Sequence, residues 1–250
     1  MPSGGIFPWM ESVRLTDFER WRRRGVRLWA YLFLPGLIFL QAPASGQFEN
    51  DVRYWQEFML REYKEGAWQT FTWGELRWVD DASRLGVWFL QQKVLYEADP
   101  NLQLGFGGSW IEIQNPDDTW TTLARFEVEV TPKWKLGPDW RFSLRNRLEG
   151  RYGESRDWDL EWVSRHRFRA VRPLEGWGAL TRYEFSNEVF YDYRVGRWNE
   201  NRFRPVNLHF RLNERSSANI FLQVRSRRLG EDREWKHAAI FGTGFRFSLD

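Results

Sequence analysis

Histidine, serine and carboxylate side chains could form a catalytic or metal site, but the chain offers few suitable arrangements. Its three histidines, His166, His209 and His237, do not share metal-ligand spacing, and the chain has no cysteine. The segment Gly107-Gly108-Ser109 does not match the Gly-x-Ser-x-Gly pattern of serine hydrolases. We therefore predict no metal, no cofactor and no assigned catalytic residue.

One arrangement keeps an enzymatic alternative open. His237 follows three carboxylates closely, Glu231, Asp232 and Glu234. With a serine nearby, these residues could form a Ser-His-acid group acting on lipid or lipopolysaccharide. Enzymatic activity therefore stays uncertain, and a non-enzymatic role is favoured.

Alternating charged residues are the strongest chemical signal in the chain. From Trp140 to Ala170, charged residues mostly share one parity and aromatic or aliphatic residues the other, with a break at 153–156. A period of two is typical of a β-strand whose two faces meet different surroundings. The charged faces could line a polar pore that orders a permeating ion, or fill the interior as a packed plug.

The same alternation in other segments defines candidate pore-lining residues, all on the charged parity of predicted strands. They are Arg125, Glu127, Glu129, Arg141, Arg145, Arg147, Arg151, Asp157, Asp159, Glu161, Arg165, Arg167, Arg169, Arg182, Glu184, Glu188, Arg225 and Arg227. Arginines between 145 and 151 are expected to face the carboxylates between 157 and 161 across a hairpin. Each facing pair of opposite charges would stabilise the sheet by about 0.2–1 kcal/mol.

The apolar faces indicate the environment of these strands. Alternation continues for thirteen residues from Trp158 to Ala170, and the apolar faces carry no formal charge. Soluble strands are usually about 5–6 residues long, whereas a strand that crosses a bilayer needs about 9–11. A soluble β-sandwich would alternate similarly, but with shorter strands. We predict an all-β, antiparallel, up-and-down transmembrane β-barrel.

Turn-forming residues divide positions 48–249 into eleven strand-like segments. Single-chain bacterial barrels have an even number of strands. About twelve strands are therefore expected, or ten if residues 47–66 do not form a full barrel strand. In segment 84–97 the apolar parity changes after Phe89, which predicts a β-bulge.

Tryptophans recur near the ends of the predicted strands. Such amphipathic rings prefer the headgroup level of a membrane and form girdles around a barrel. The predicted girdle consists of Trp120, Trp140, Trp158, Trp177, Trp198 and Trp235.

Residues 1–46 are typical of a signal peptide. Five arginines between Arg20 and Arg27 precede a mostly apolar stretch, Leu28 to Leu40, and small residues then supply a cleavage site before Gln47. A short membrane anchor or a buried helix is the alternative, and Met10 is a candidate true start. Removal leaves a single barrel domain, 47–250, with 31 acidic and 31 basic residues. This neutral balance argues against nucleic-acid binding.

The chain resembles bacterial outer-membrane β-barrels, specifically the domain of unknown function 2490 family, over roughly residues 48–249. The resemblance rests on an aromatic C-terminal strand and on the motifs DVRYWQ at 51–56, GELR at 74–77 followed by DDASRL at 80–85, and RNRLE at 145–149. It implies a fold and a location, and no biochemical function. The chain departs from the usual aromatic terminus of such barrels by ending in Asp250.

We therefore expect a protein exported through the periplasm to the bacterial outer membrane. The favoured function is a channel for small polar or ionic solutes. A lipid- or lipopolysaccharide-modifying enzyme and a structural barrel with a plugged lumen are the alternatives. Expected partners are membrane lipid, lipopolysaccharide and the barrel-insertion machinery, with no nucleic acid; the solute and the oligomeric state stay open.

Overall fold

The computed structural model describes residues 47–154, 158–228 and 234–249. The predicted signal peptide, Asp157, Glu231 and Asp232 lie outside these residues. Long runs of alternating residues form eleven strands. In chain order they are β1 (Gln47–Glu65), β2 (Trp68–Val79), β3 (Arg84–Asp99), β4 (Leu102–Gln114), β5 (Trp120–Leu136), β6 (Trp140–Gly153), β7 (Glu161–Pro173), β8 (Leu180–Asp192), β9 (Arg197–Arg211), β10 (Ser216–Arg228) and β11 (Trp235–Ser248).

The strands close into one barrel, which confirms the predicted all-β barrel fold. Each strand pairs antiparallel with the next, while β1 and β11 pair in parallel. The eleven strands of the described residues are close to the expected twelve. An odd number of alternating strands brings the first and the last together in the same direction, so closure requires one parallel pair. The parallel pair is a departure from a strictly antiparallel arrangement.

The seam between β1 and β11 is a full strand pairing, so β1 is a complete barrel strand. Its register runs from Val52 opposite Ala239 to Arg61 opposite Ser248. Trp55 of β1 packs inside the barrel in a buried cluster with Phe221 and Ile240. On the outer face the rings of Phe58 and Phe245 stack at 6.1 Å, and the Tyr54 hydroxyl lies 2.5 Å from Thr243 Oγ1.

The two ends of the barrel differ in their connections. One end, here the loop end, carries the connections 80–83, 115–119, 154–160, 193–196 and 229–234. The other, here the turn end, carries 66–67, 100–101, 137–139, 174–179 and 212–215. The two-residue connection 66–67 uses Gly66, whose φ of 56° lies in the left-handed region that glycine adopts without steric cost. The loop end therefore carries most of the longer connections.

The outer face of the barrel is largely apolar. Leu90, Phe106, Val128 and Leu222 are each more than half exposed there. Gly150 on this face leaves room for the Phe126 ring, since a Cβ atom at this glycine would lie 2.1 Å from that ring. An apolar outer face of this kind suits contact with the hydrocarbon region of a bilayer. The described residues include no helix that is long and apolar enough to cross a membrane.

Strand β3 contains a bulge, at Leu85–Val87 rather than after Phe89 as predicted, and also an unexpected apolar interior face. The register with β2 shifts between Trp78 opposite Leu85 and Arg77 opposite Val87. Beyond this shift Phe89 points inward and packs with Ile111 and Leu123 in a buried cluster. The change of apolar parity in β3 therefore has two causes, a bulge and a local apolar core within the lumen.

Candidate functional site

The inward side chains surround a cavity of about 1170 Å³. Its lining includes Arg151 and Arg227 beside the loop end and Arg211 and Ser248 beside the turn end, so it extends along most of the barrel. Among the described residues, nineteen arginines and lysines and seven glutamates line it. The neutral balance of residues 47–250 is therefore distributed unevenly, with a strong positive excess inside the barrel.

Most of the predicted lining residues face this cavity. They are Arg125, Glu129, Arg145, Arg147, Arg151, Arg165, Arg167, Arg169, Arg182, Glu184, Glu188, Arg225 and Arg227. Glu127 is completely buried in the wall, and Glu161 is buried near the loop end, 2.9 Å from Arg194. Arg141 is exposed beside the turn end, and Asp159 is exposed in connection 154–160.

The predicted charge pairing of the β6–β7 hairpin is wrong for most of its length. Arg151 does face Glu161, but Arg147 faces Arg165 and Arg145 faces Arg167. Trp158 has a left-handed φ of 62°, and β7 begins only at Glu161, so Asp159 belongs to the connection. The carboxylates that compensate these facing arginines come from β5, β6 and β8.

Those carboxylates and the cations that they contact form one region of the lumen, which we call the paired wall. Its members are Lys93, Arg125, Arg145, Arg147, Arg165, Glu127, Glu129, Glu149 and Glu188. Every glutamate of the set lies within ionic contact of at least two of its cations. The side chains of Glu127 and Glu149 are completely buried. Buried charges of this kind are tolerated because each has several partners of opposite sign.

The paired wall depends on two glycines of β4. Lys93 of β3 reaches across β4 to place its Nζ atom 2.5 Å from Glu127 Oε1 and 2.7 Å from Glu129 Oε2 of β5. Gly105 and Gly107 lie beneath this crossing, opposite these strands. A Cβ atom at Gly107 would lie 2.6 Å from the carbonyl oxygen of Gln92, and one at Gly105 would lie 2.8 Å from Glu129 Cγ. The glycines therefore make room for the ionic contacts.

Aromatic rings stacked against arginines narrow the lumen further. The guanidinium of Arg202 on β9 lies 5.3 Å from the Trp55 ring of β1 and 4.6 Å from the Phe190 ring of β8. Arg77 lies 4.3 Å from the same Trp55 ring. Because β10 and β11 lie between β9 and β1 in the barrel, the contact of Arg202 with Trp55 joins two strands that are not neighbours in the sheet. Cation–π contacts hold these guanidinium groups beside the rings.

A second part of the lumen has fewer acidic partners. We call it the basic chamber and define it by Arg167, Arg169, Arg182, Arg246, Glu184 and His209. Arg169 lies 2.6 Å from Glu184, whose other neighbour is His209 Nε2 at 3.3 Å. Arg182 lies 3.1 Å from His209 Nδ1. The basic chamber thus holds four arginines and one carboxylate, and that carboxylate contacts Arg169.

Several luminal residues were not among those predicted from the sequence. Glu57, Lys93, Arg202, Arg204 and Arg246 all line the cavity. In β9 and β11 the period-two alternation could have identified them. Arg202 and Arg204 share one parity in β9, and Arg246 lies between two outward aromatic residues in β11. In β1 to β3 the inward face mixes aromatic and charged residues, which hides the alternation.

The three histidines lie apart. His209 is inside the barrel, whereas His166 on the outer face contacts Asn146 Oδ1 at 2.8 Å. His237 Nδ1 lies 2.8 Å from Ser226 Oγ of the neighbouring strand. Within the described ranges, no three histidine, aspartate or glutamate side chains are placed to hold a metal ion.

The six tryptophans of the predicted girdle lie at both ends. Trp120, Trp158, Trp198 and Trp235 are at the loop end. Trp140 and Trp177 are at the turn end. In a bilayer, tryptophan rings at the two ends of the barrel would lie at the two headgroup levels.

The chain is similar to one solved structure and to one protein family. A solved structure described as a bacterial polysaccharide outer membrane secretin is similar at 10% identity and a TM-score of 0.39, over 73% of this chain and 75% of that chain. No curated protein matches the chain significantly. The model of the family described as a protein of unknown function (DUF2490) matches residues 52–236, most of the chain, and the chain therefore belongs to this family.

Proposed function

We propose that the barrel is an outer-membrane pore for small polar or ionic solutes, with a preference for anions. The observation that carries this proposal is the cavity of about 1170 Å³, whose lining reaches from one set of strand ends to the other. Rings of arginine and lysine are typical of pores that select anions. The excess of luminal cations over glutamates supplies that selectivity.

The exterior supports a place in the outer membrane. The apolar outer face and the tryptophans at both ends suit a bilayer with two headgroup levels. Outer-membrane barrels have short periplasmic turns and longer outer loops. The loop end therefore faces the cell exterior, and the turn end faces the periplasm.

The interior argues for a narrow pore with slow passage. The Arg202 stack on Trp55 joins β9 to β1, which is not its neighbour in the sheet, and the paired wall occupies much of one side. A solute would pass between these groups and exchange contacts with successive arginines. This proposal excludes a wide aqueous channel and requires a conducting path through the cavity.

Planar-bilayer recording of the refolded protein tests the pore. We expect discrete conductance steps and, in a KCl gradient, a reversal potential displaced toward the chloride equilibrium potential. The same protein denatured before addition is the control. Conductance no greater than that control would refute the pore and favour the structural barrel with a filled lumen.

One contact favours a second candidate function, hydrolysis of a lipid ester. Ser226 and His237 lie on adjacent strands near the loop end, with Ser226 Oγ 2.8 Å from His237 Nδ1. His237 would take the hydroxyl proton as Ser226 attacks the ester carbonyl, the alcohol would leave with that proton, and water would then release the acyl group. Purified protein incubated with phospholipid and lipopolysaccharide vesicles would release fatty acid, and Ser226→Ala would abolish release. Equal release by this variant, or none by the wild type, would refute the activity.

A further inference from the structure

We infer that the basic chamber binds the phosphate group of a small soluble solute. This inference rests on the proposed pore and narrows its solute class to phosphate-bearing anions. The site lies near the turn end and combines residues of β7, β8, β9 and β11.

The basic chamber has fewer carboxylates than arginines. Within the described ranges, Arg167, Arg182 and Arg246 form no ion pair, and Arg169 is the arginine of the chamber that contacts a carboxylate. The carboxylate of Glu184 is already bonded to Arg169 at 2.6 Å. The partner of Arg182 is the imidazole of His209, which brings no negative charge in its neutral form.

The neighbouring carboxylates are already bonded to other arginines. Arg167 of β7 lies opposite Glu188 of β8, but Glu188 bonds to Arg145 and, at 2.9 Å, to Arg165. Glu57 likewise bonds to Arg204 at 2.8 Å. Within the part of the chain that the structure describes, the side chains of Arg167 and Arg246 make no hydrogen bond or ion pair, and the Nε atoms of Arg167 and Arg182 lack acceptors.

The groups of the basic chamber match the chemistry of a phosphate. Charged groups in an enclosed interior are costly without a counterion, so unpaired arginines of a lumen favour a bound anion. A guanidinium presents paired N–H donors that match the oxygens of a phosphate, and several arginines together favour multiple negative charge. Ser186, Asn207 and Ser217 also line the cavity and offer neutral donors. The cavity volume of about 1170 Å³ accommodates a phosphate with an attached small group.

The same chemistry could come from a lipid phosphate, and position separates the two sources. The basic chamber is enclosed by the strands, and its arginines point to the barrel interior rather than to the apolar outer face. A soluble phosphate therefore reaches the chamber through the lumen. Lipid phosphate would reach it only from a barrel end.

Isothermal titration of the refolded full chain in detergent, with pyrophosphate and with inorganic phosphate as probes, tests the site. We expect saturable binding of both, tighter for pyrophosphate because of its greater charge. The double variant Arg167→Gln/Arg246→Gln should weaken pyrophosphate binding by about tenfold or more, the equivalent of one factor of ten in the dissociation constant. Circular dichroism confirms that each variant keeps its strands.

A matched variant controls for general loss of positive charge. Arg227→Gln removes a cavity-lining arginine near the loop end, outside the basic chamber, and should change pyrophosphate affinity by less than about twofold. No binding by the wild type, or equal weakening by this control, would overturn the site. Competition by vesicles containing lipid A would assign the phosphate to lipid instead and overturn the soluble solute.

Bilayer recording separates this inference from the pore itself. A protein that conducts without binding pyrophosphate refutes the site and leaves the pore. A protein that binds pyrophosphate without conducting refutes the pore, and with it a permeating solute as the ligand.

Discussion

The paired wall and the basic chamber meet on β7, where two arginines only two positions apart have different surroundings. Arg165 lies 2.6 Å from Glu149 and 2.9 Å from Glu188, whereas Arg167 has no ionic partner among the described residues. Both face the lumen on the same strand. The difference arises because the neighbouring strands supply more carboxylates at the height of Arg165 than at the height of Arg167. Under the proposed function, paired charges such as Arg165 stabilise the barrel, and charges such as Arg167 are available to a solute.

The largest effect is expected from breaking the paired wall at its most buried carboxylate. Glu149→Gln removes the negative charge that contacts Arg125, Arg147, Arg151 and Arg165. Removing one partner from a buried ion pair costs about 3–5 kcal/mol, so the free energy of unfolding should fall by this amount. Urea unfolding of vesicle-inserted protein measures it. Glu214→Gln, in the exposed connection 212–215, is the control, and equal effects would show that Glu149 does not stabilise the fold.

A smaller effect is expected from filling the space beneath the Lys93 crossing. Gly107→Ala would force its new methyl group against the Gln92 carbonyl oxygen and lower the free energy of unfolding by about 1–3 kcal/mol. The neighbouring Gly108 is a matched control, since a Cβ atom there would meet nothing nearer than 3.9 Å. Equal stability of Gly107→Ala and Gly108→Ala proteins would contradict the role given to the crossing.

Removing a charge from the basic chamber should not lower the free energy of unfolding, unlike the changes in the paired wall. Arg167→Gln removes a charge without a carboxylate partner, so we expect a change in unfolding free energy within about 0.5 kcal/mol of zero, or a gain. The same variant should lower the chloride preference of the conducting pore. Arg165→Gln, by contrast, should destabilise the barrel, because it leaves Glu149 and Glu188 with one partner fewer. If the two variants lose stability equally, the distinction between the two regions fails.

The smallest effect concerns ionic strength. The Debye length shortens from about 10 Å at 0.1 M salt to about 3 Å at 1 M, so charges exposed to the cavity water are screened while buried pairs are screened much less. Anion preference should therefore decline between these concentrations while the unfolding free energy changes little. Reversal potentials and urea titrations at both concentrations give the two quantities, and a parallel decline would contradict the division.

Much of the fold follows from the alternation of residues along the chain. The parity of Arg145 and Arg147 places them inside, and the turn residues mark all eleven strands. Period two assigns a face, but it does not fix which residues meet across strands. Lys93 contacts glutamates two strands away, over glycines whose small size matters only in three dimensions.

The start of β7 shows a second limit. Asp157 and Asp159 continue the alternation of the strand in the sequence, yet Trp158 adopts a left-handed backbone and Asp159 lies in the connection. A local change of backbone conformation therefore shifts the register of an entire hairpin. The parallel pair, by contrast, follows from the eleven segments that the turn residues mark, and the expectation of twelve strands came from the even number usual in single-chain bacterial barrels.

The parallel seam has a consequence for how the barrel assembles. Every antiparallel pair joins neighbours in sequence, but β1 and β11 stand almost the whole barrel apart along the chain. Bringing such distant segments together carries the greatest loss of chain entropy of any contact in the fold. We therefore expect the pairing of β1 with β11, where Trp55 packs with Ile240, to form last, from a nearly complete curved sheet.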